Sequence, residues 1–120
     1  MPHLKLEYSK NLKEQIDPQK LFSLCHNILV ETINASLSHC QSHAKPCDLF
    51  YIAEGSSQNA FIYLEILILE GRSSSQLHEM QKQITQILES YFSRSRLELN
   101  LQIAVHVVEM SKSHYLATKP

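Results

Sequence analysis

Apolar and polar positions alternate from the start of the chain. Leu4, Leu6 and Tyr8 alternate with Lys5 and Glu7, which predicts a strand that begins almost at once. Asn11 to Ile16 is a polar connection, and after it the period changes. Leu21, Leu24 or Cys25, Ile28, Leu29, Thr32 and Ile33 recur at helical spacing and give one apolar stripe. Asp17-Pro18 ahead of the stripe has the chemistry of a helix start: a carboxylate for free N–H groups, then a residue that has no N–H to satisfy. The helix is expected to end near Ala35–Leu37. From Ser38 to Ile52 the pattern weakens; Leu49, Phe50, Tyr51 and Ile52 read as strand, and Lys45-Pro46 as an edge or a bulge.

A turn at Glu54-Gly55-Ser56-Ser57 leads into the most apolar stretch, Ala60 to Leu69. Ala60, Ile62, Leu64, Ile66 and Ile68 fill one face of this strand, and Phe61, Tyr63, Leu67 and Leu69 the other; Glu65 is its one charge. A strand apolar on both faces needs cover on both, so it belongs in the middle of a sheet and against a second subunit. Gly71 ends it, and Ser73 with Gln76 fits a capping box for a helix over Ser74 to Phe92. Leu77, Met80, Ile84, Ile87, Leu88 and Tyr91 make that helix's buried stripe. Leu97, Leu99, Leu101, Ile103, Val105 and Val107 alternate with polar residues and predict the last strand. Ser111 to Pro120 is a polar tail that Tyr115 and Leu116 are expected to pin onto a neighbouring chain.

The order is strand–helix–strand twice, which predicts an α+β domain over 1–120. Each half forms a parallel pair through a right-handed crossover, with both helices on one face of a four-stranded mixed sheet. The other face stays apolar and open in a single chain, which argues for an oligomer. At 120 residues the chain makes one domain of modest core. A net charge of −1 gives no bulk attraction to nucleic acid or to a membrane surface. The ten-residue apolar run is too short for a membrane span, and the N-terminus lacks the apolar core of a signal peptide. Three cysteines, an odd number, fit a reducing compartment, so a cytoplasmic protein is expected.

Two residues stand out chemically. Met before a small residue is usually removed in cells, which would make Pro2 the N-terminus and expose a secondary amine on a strand that has no leader. Structurally, a proline at a strand's first residue is simply tolerated. Arg72 sits between the end of the buried strand and a helix N-terminus, where an anion is favoured; pairing with a nearby carboxylate is the alternative. His39, Cys40, His43 and Cys47 lack the Cys-x-x-Cys spacing and a second ligand pair, so no metal site is expected of them.

The start Met-Pro-His-Leu, the doubled strand–helix–strand plan and Gly71-Arg72-Ser73 together resemble the 5-carboxymethyl-2-hydroxymuconate delta-isomerase family of the tautomerase superfamily. The resemblance covers nearly the whole chain and includes Pro2-His3, Asn11, Leu21-Phe22 and Ala60-Phe61; its specificity comes from register, since no motif is long. It implies a cofactor-free homotrimer, an N-terminal proline as base, arginines that hold carboxylates, and a substrate from bacterial breakdown of homoprotocatechuate. Carried over, Pro2 is the base and Arg72 binds a carboxylate or carbonyl, with Ser73 beside it. Gln41 and His43 stand where the family has arginines, which puts the substrate in doubt; Lys45 is the nearby residue to compensate. A 1,3-proton shift beside a carbonyl needs one group to carry the proton and a cation to stabilise the dienolate. Two other readings remain open: a non-catalytic trimer that binds a small anion or a protein, and a related activity on a phenylpyruvate-like monocarboxylate.

Overall fold

The computed structural model describes residues 2–120. Met1, and with it the expected removal of Met1, lies outside the described residues. The elements are β1 (His3–Ser9), α1 (Pro18–Ile33), β2 (Gln41–Cys47), β3 (Asn59–Leu69), α2 (Ser74–Tyr91), α3 (Ser93–Glu98) and β4 (Asn100–Met110). They form one four-stranded sheet in the order β2-β1-β3-β4. β1 runs parallel to β2 and antiparallel to β3, and β3 runs parallel to β4, so the sheet is mixed as expected.

Alternation sorts the sheet's faces. Leu4 and Leu6 of β1, and Ile62, Leu64, Ile66 and Ile68 of β3, point to one side and are buried there. Leu21, Phe22, Cys25, Leu29 and Ile33 of α1 join them, with Met80, Ile84 and Leu88 of α2. Both helices therefore cover the same face. On the opposite face Phe61, Tyr63, Glu65, Leu67 and Leu69 stay half-buried.

Local chemistry sets the helix ends. The Asp17 carboxylate accepts from the N–H groups of Gln19 and Lys20 at 3.1 and 3.4 Å. α1 stops at Ile33, before the expected Ala35–Leu37, because Asn34 turns left-handed at φ 55° and its N–H returns to the Leu29 carbonyl. Ser73 and Gln76 form the full capping box of α2.

Two expected strands shift. Leu49 to Ile52 is not strand: Leu49 and Tyr51 are 96% and 78% exposed, in a connection that carries left-handed Ala53 (φ 52°) and Gly55 (φ 89°). The edge strand is the more polar Gln41–Cys47, which packs only Ala44 against the core; an edge strand with one dry face needs few apolar residues. Likewise Leu97 is 87% exposed on α3, and β4 begins at Asn100. The Glu14 carboxylate accepts from the N–H groups of Arg94 and Ser95 and from the Ser95 hydroxyl, which holds the chain helical there.

Candidate active site

β1 and β2 begin at the same end of the sheet where β3 and β4 finish: His3 faces Gln41 and Leu67, and Leu69 faces Met110. α1 also ends here. Pro2 is buried at this end, and its carbonyl accepts the Gln41 N–H at 3.1 Å. By alternation its ring shares the helix face with Leu4 and Leu6, while His3 and Gln41 share the open face.

Gly71, at φ 123° in the region that favours glycine, turns the chain out of β3 and delivers Arg72 to this end. Arg72 is half-buried and pairs with no carboxylate among the described residues. Its Nε donates to the Ile33 carbonyl at 3.2 Å and its Nη1 to the Leu69 carbonyl at 3.3 Å. The guanidinium thus ties the C-terminal end of α1, where a cation is favoured, to the end of β3. Three of its five N–H donors remain.

The other expected residues divide. Gln41 is exposed at the start of β2, next to Pro2. His43 lies two residues along the open face, opposite Lys5, and Lys45 lies opposite Glu7, both farther from this end. Ser73 is committed to α2: its hydroxyl accepts from the Gln76 N–H at 3.2 Å and donates to Gln76 Oε1 at 3.2 Å. His39, Cys40, His43 and Cys47 do not gather, and among the described residues no three His, Cys, Asp or Glu side chains are grouped to hold a metal ion.

The tail supplies what sequence reasoning missed. The Lys112 N–H donates to Glu70 Oε2 at 2.8 Å, a short turn follows, and the chain crosses to β1 and β2. There Tyr115 Oη meets His3 Nε2 at 2.8 Å, so Tyr115 pins the tail onto its own chain, whereas Leu116 is 91% exposed. The signal available was a lone tyrosine in a polar tail, and it does not say which chain it touches. Together the tail and the strand starts enclose a cleft of about 530 Å³ lined by His3, Ser38, His39, Gln41 and residues 115–119. Burial first, then positive neighbours that include Lys5 and His43, lower the His3 pKa from 6.5. A larger open hollow, about 910 Å³, lies between the outer sides of α1 and α2 and holds none of the candidate residues.

The arrangement puts a buried proline just ahead of β1, an arginine and a polar cleft at one end of the sheet. The profile of the 5-carboxymethyl-2-hydroxymuconate isomerase family matches residues 2–119. The 5-carboxymethyl-2-hydroxymuconate Delta-isomerase of Escherichia coli is 23% identical over 110 residues, which cover 92% of this chain and 87% of that one. The crystal structure of a 5-carboxymethyl-2-hydroxymuconate isomerase from Deinococcus radiodurans R1 superposes with a TM-score of 0.90 at 23% identity, over 99% of this chain and 90% of that one. A fused 4-OT wild type symmetric trimer superposes with a TM-score of 0.70 at 14% identity, over 92% and 87%. The chain belongs to the 5-carboxymethyl-2-hydroxymuconate isomerase family, an isomerase family of the tautomerase superfamily.

Proposed function

We propose that this chain is a cofactor-free isomerase that shifts a proton in an unsaturated 2-hydroxy acid of the 5-carboxymethyl-2-hydroxymuconate type, with Pro2 as the base. The observation that carries this reading is Pro2 itself, buried immediately before the inner strand β1 and held by Gln41. Once Met1 is removed, its secondary amine takes the proton of the enol hydroxyl and returns it to a carbon of the conjugated system. No atom or electron is gained or lost, so the step needs no group beyond the base and a cation. Arg72 supplies that cation through its remaining N–H donors, and Gln41 contributes a neutral donor. The enzyme acts as a homotrimer, and its three free thiols fit the cytoplasm.

The chain that starts at Pro2 should ketonise such an enol acid with no metal or cofactor added. One extra residue before Pro2 turns the amine into an amide and leaves the strand intact. General acid–base catalysis is commonly worth ~10²–10⁴-fold, and the extended chain should lose about that much of kcat/KM. Mass spectrometry of protein from cells shows whether Pro2 is free. Equal rates for both chains would remove Pro2 as the base. The bonds from Arg72 to two main-chain carbonyls favour a second reading, a non-catalytic member of the fold in which Arg72 is structural. Equal rates at the uncatalysed level would support it.

A further inference from the structure

The cleft at the Pro2 end of the sheet, which neither Pro2 nor Arg72 lines, contains one permanent charge. His3, Ser38, His39 and Gln41 form one wall and the tail residues 115–119 the other. Lys119 is the sole Lys or Arg of this lining, and no Asp or Glu belongs to it. The Lys119 ammonium donates to the Ser38 carbonyl at 3.0 Å, which fixes it at the cleft and leaves two N–H donors free for a ligand. Tyr115 Oη and His3 Nε2 satisfy each other across the same space. With its pKa lowered by burial, the His3 imidazole is neutral at pH 7 and adds no second cation. A tethered ammonium that forms no ion pair among the described residues, in a cleft that no Asp or Glu lines, favours an anion.

We infer that Lys119 binds the carboxylate of a small 2-oxo or 2-hydroxy acid in this cleft, with the Gln41 amide as a second donor. The assignment rests on reading this end of the sheet as the isomerase site, and it names the residue that holds the substrate's acid group. It also sets the stoichiometry of charge: the cleft neutralises one carboxylate, and a dianion leaves its second carboxylate to groups outside it.

The test uses the full chain beginning at Pro2, with an unsaturated 2-hydroxy monocarboxylic acid, its methyl ester, and the saturated 2-oxo acid as a binding probe. A charge-assisted hydrogen bond to a carboxylate is worth about tenfold or more in affinity, so Lys119→Met should raise KM for the acid by about that factor. The ester's KM should stay put, and Lys119→Arg should recover most of the loss. An unchanged KM for the acid, or an equal change for acid and ester, would overturn the assignment. If the unaltered chain turns over neither compound, the isomerase reading fails, and Lys119 is judged by binding alone. A Kd for the 2-oxo acid about tenfold weaker in Lys119→Met then supports the anion site, and an equal Kd overturns it.

Discussion

Histidines and cysteines show how far burial alone sets the chemistry of single residues in this fold. Cys25 lies fully inside the core, and its thiol is pushed up to about 12, so it is an inert packing group. His3 and His26 are only part-buried, yet both are lowered from 6.5, with burial the largest cause in each. His26 Nε2 meets Ser42 Oγ at 2.7 Å, which lets a neutral ring keep a partner. A base whose folded pKa lies below its unfolded value binds protons less readily when folded. Protonation then draws the chain toward the unfolded state. Their contribution is complete above about pH 6.5 and is lost as pH falls through the lower folded values. Thermal melts at about pH 7.5 and 5.5 should show the lower Tm at 5.5, and His3→Gln combined with His26→Gln should narrow the gap. An undiminished gap in the double variant would assign the acid sensitivity to other groups. In the sequence these two histidines look like the other five, since nothing local records that one faces a tail tyrosine and the other an edge-strand serine.

At the scale of elements, what the sequence disclosed depended on how many faces each element buries. From Ala60 to Leu69 β3 is apolar on both faces apart from Glu65, α1 and α2 carry one stripe each with a cap before it, and all three were legible, the end of α1 least well, since it stops at Ile33 and not at Ala35–Leu37. β2 was not, because an edge strand with one dry face leaves little apolar signal, while the more apolar Leu49 to Ile52 is exposed connection. α3 was hidden for a different reason: its anchor, Glu14, lies about eighty residues earlier in the chain. Arg72 was placed correctly at the end of β3, but its partners are carbonyls of two elements, which no local pattern encodes. That double tie has a measurable cost. Arg72→Ala removes two hydrogen bonds from a charged donor, each worth ~1.5–3 kcal/mol in general, and uncouples the end of α1 from β3. Half-burial and the water that replaces them discount this, so the loss of stability should be about 1–2 kcal/mol. Comparing kcat/KM with chemical denaturation in Arg72→Ala separates the two roles. A fall in kcat/KM that persists at temperatures where the variant is fully folded supports the substrate role. Activity that tracks the folded fraction alone makes Arg72 structural.

For the whole molecule, the decisive feature is that two helices cover one face of a four-stranded sheet, while among the described residues only the tail crosses the other, at its Pro2 end. Phe61, Tyr63, Leu67 and Leu69 of β3 are half-buried there, and β4 places Ala104, Val108 and Met110 beside them in register. Charge interrupts the surface in a band where Glu65 faces Lys5 on one side and His106 on the other, and again where Glu7 faces Tyr63, beyond that band from Pro2; the His106 ring is tied to Tyr63 Oη at 2.9 Å. Leu67, Leu69, Val108 and Met110 lie on the Pro2 side of that band, at the end where the tail crosses. An apolar area of this kind, beside strand edges left open at β2 and β4, is unfavourable in water and is relieved when another surface covers it. The homotrimer proposed above closes such a face within a finite assembly. Sedimentation at micromolar concentration should therefore give a trimer. A charge in the middle of the surface tests its location, since hot-spot positions are worth at least ~2 kcal/mol and Leu67→Asp should weaken assembly by about thirtyfold or more. The substitution faces away from the core, so the separated chains should keep their helical circular dichroism. Because the same surface borders the cleft, those chains should also lose activity beyond what their stability explains. A wild-type protein that sediments as a stable monomer would refute the trimer, and a Leu67→Asp protein that remains trimeric would move the contact to another face.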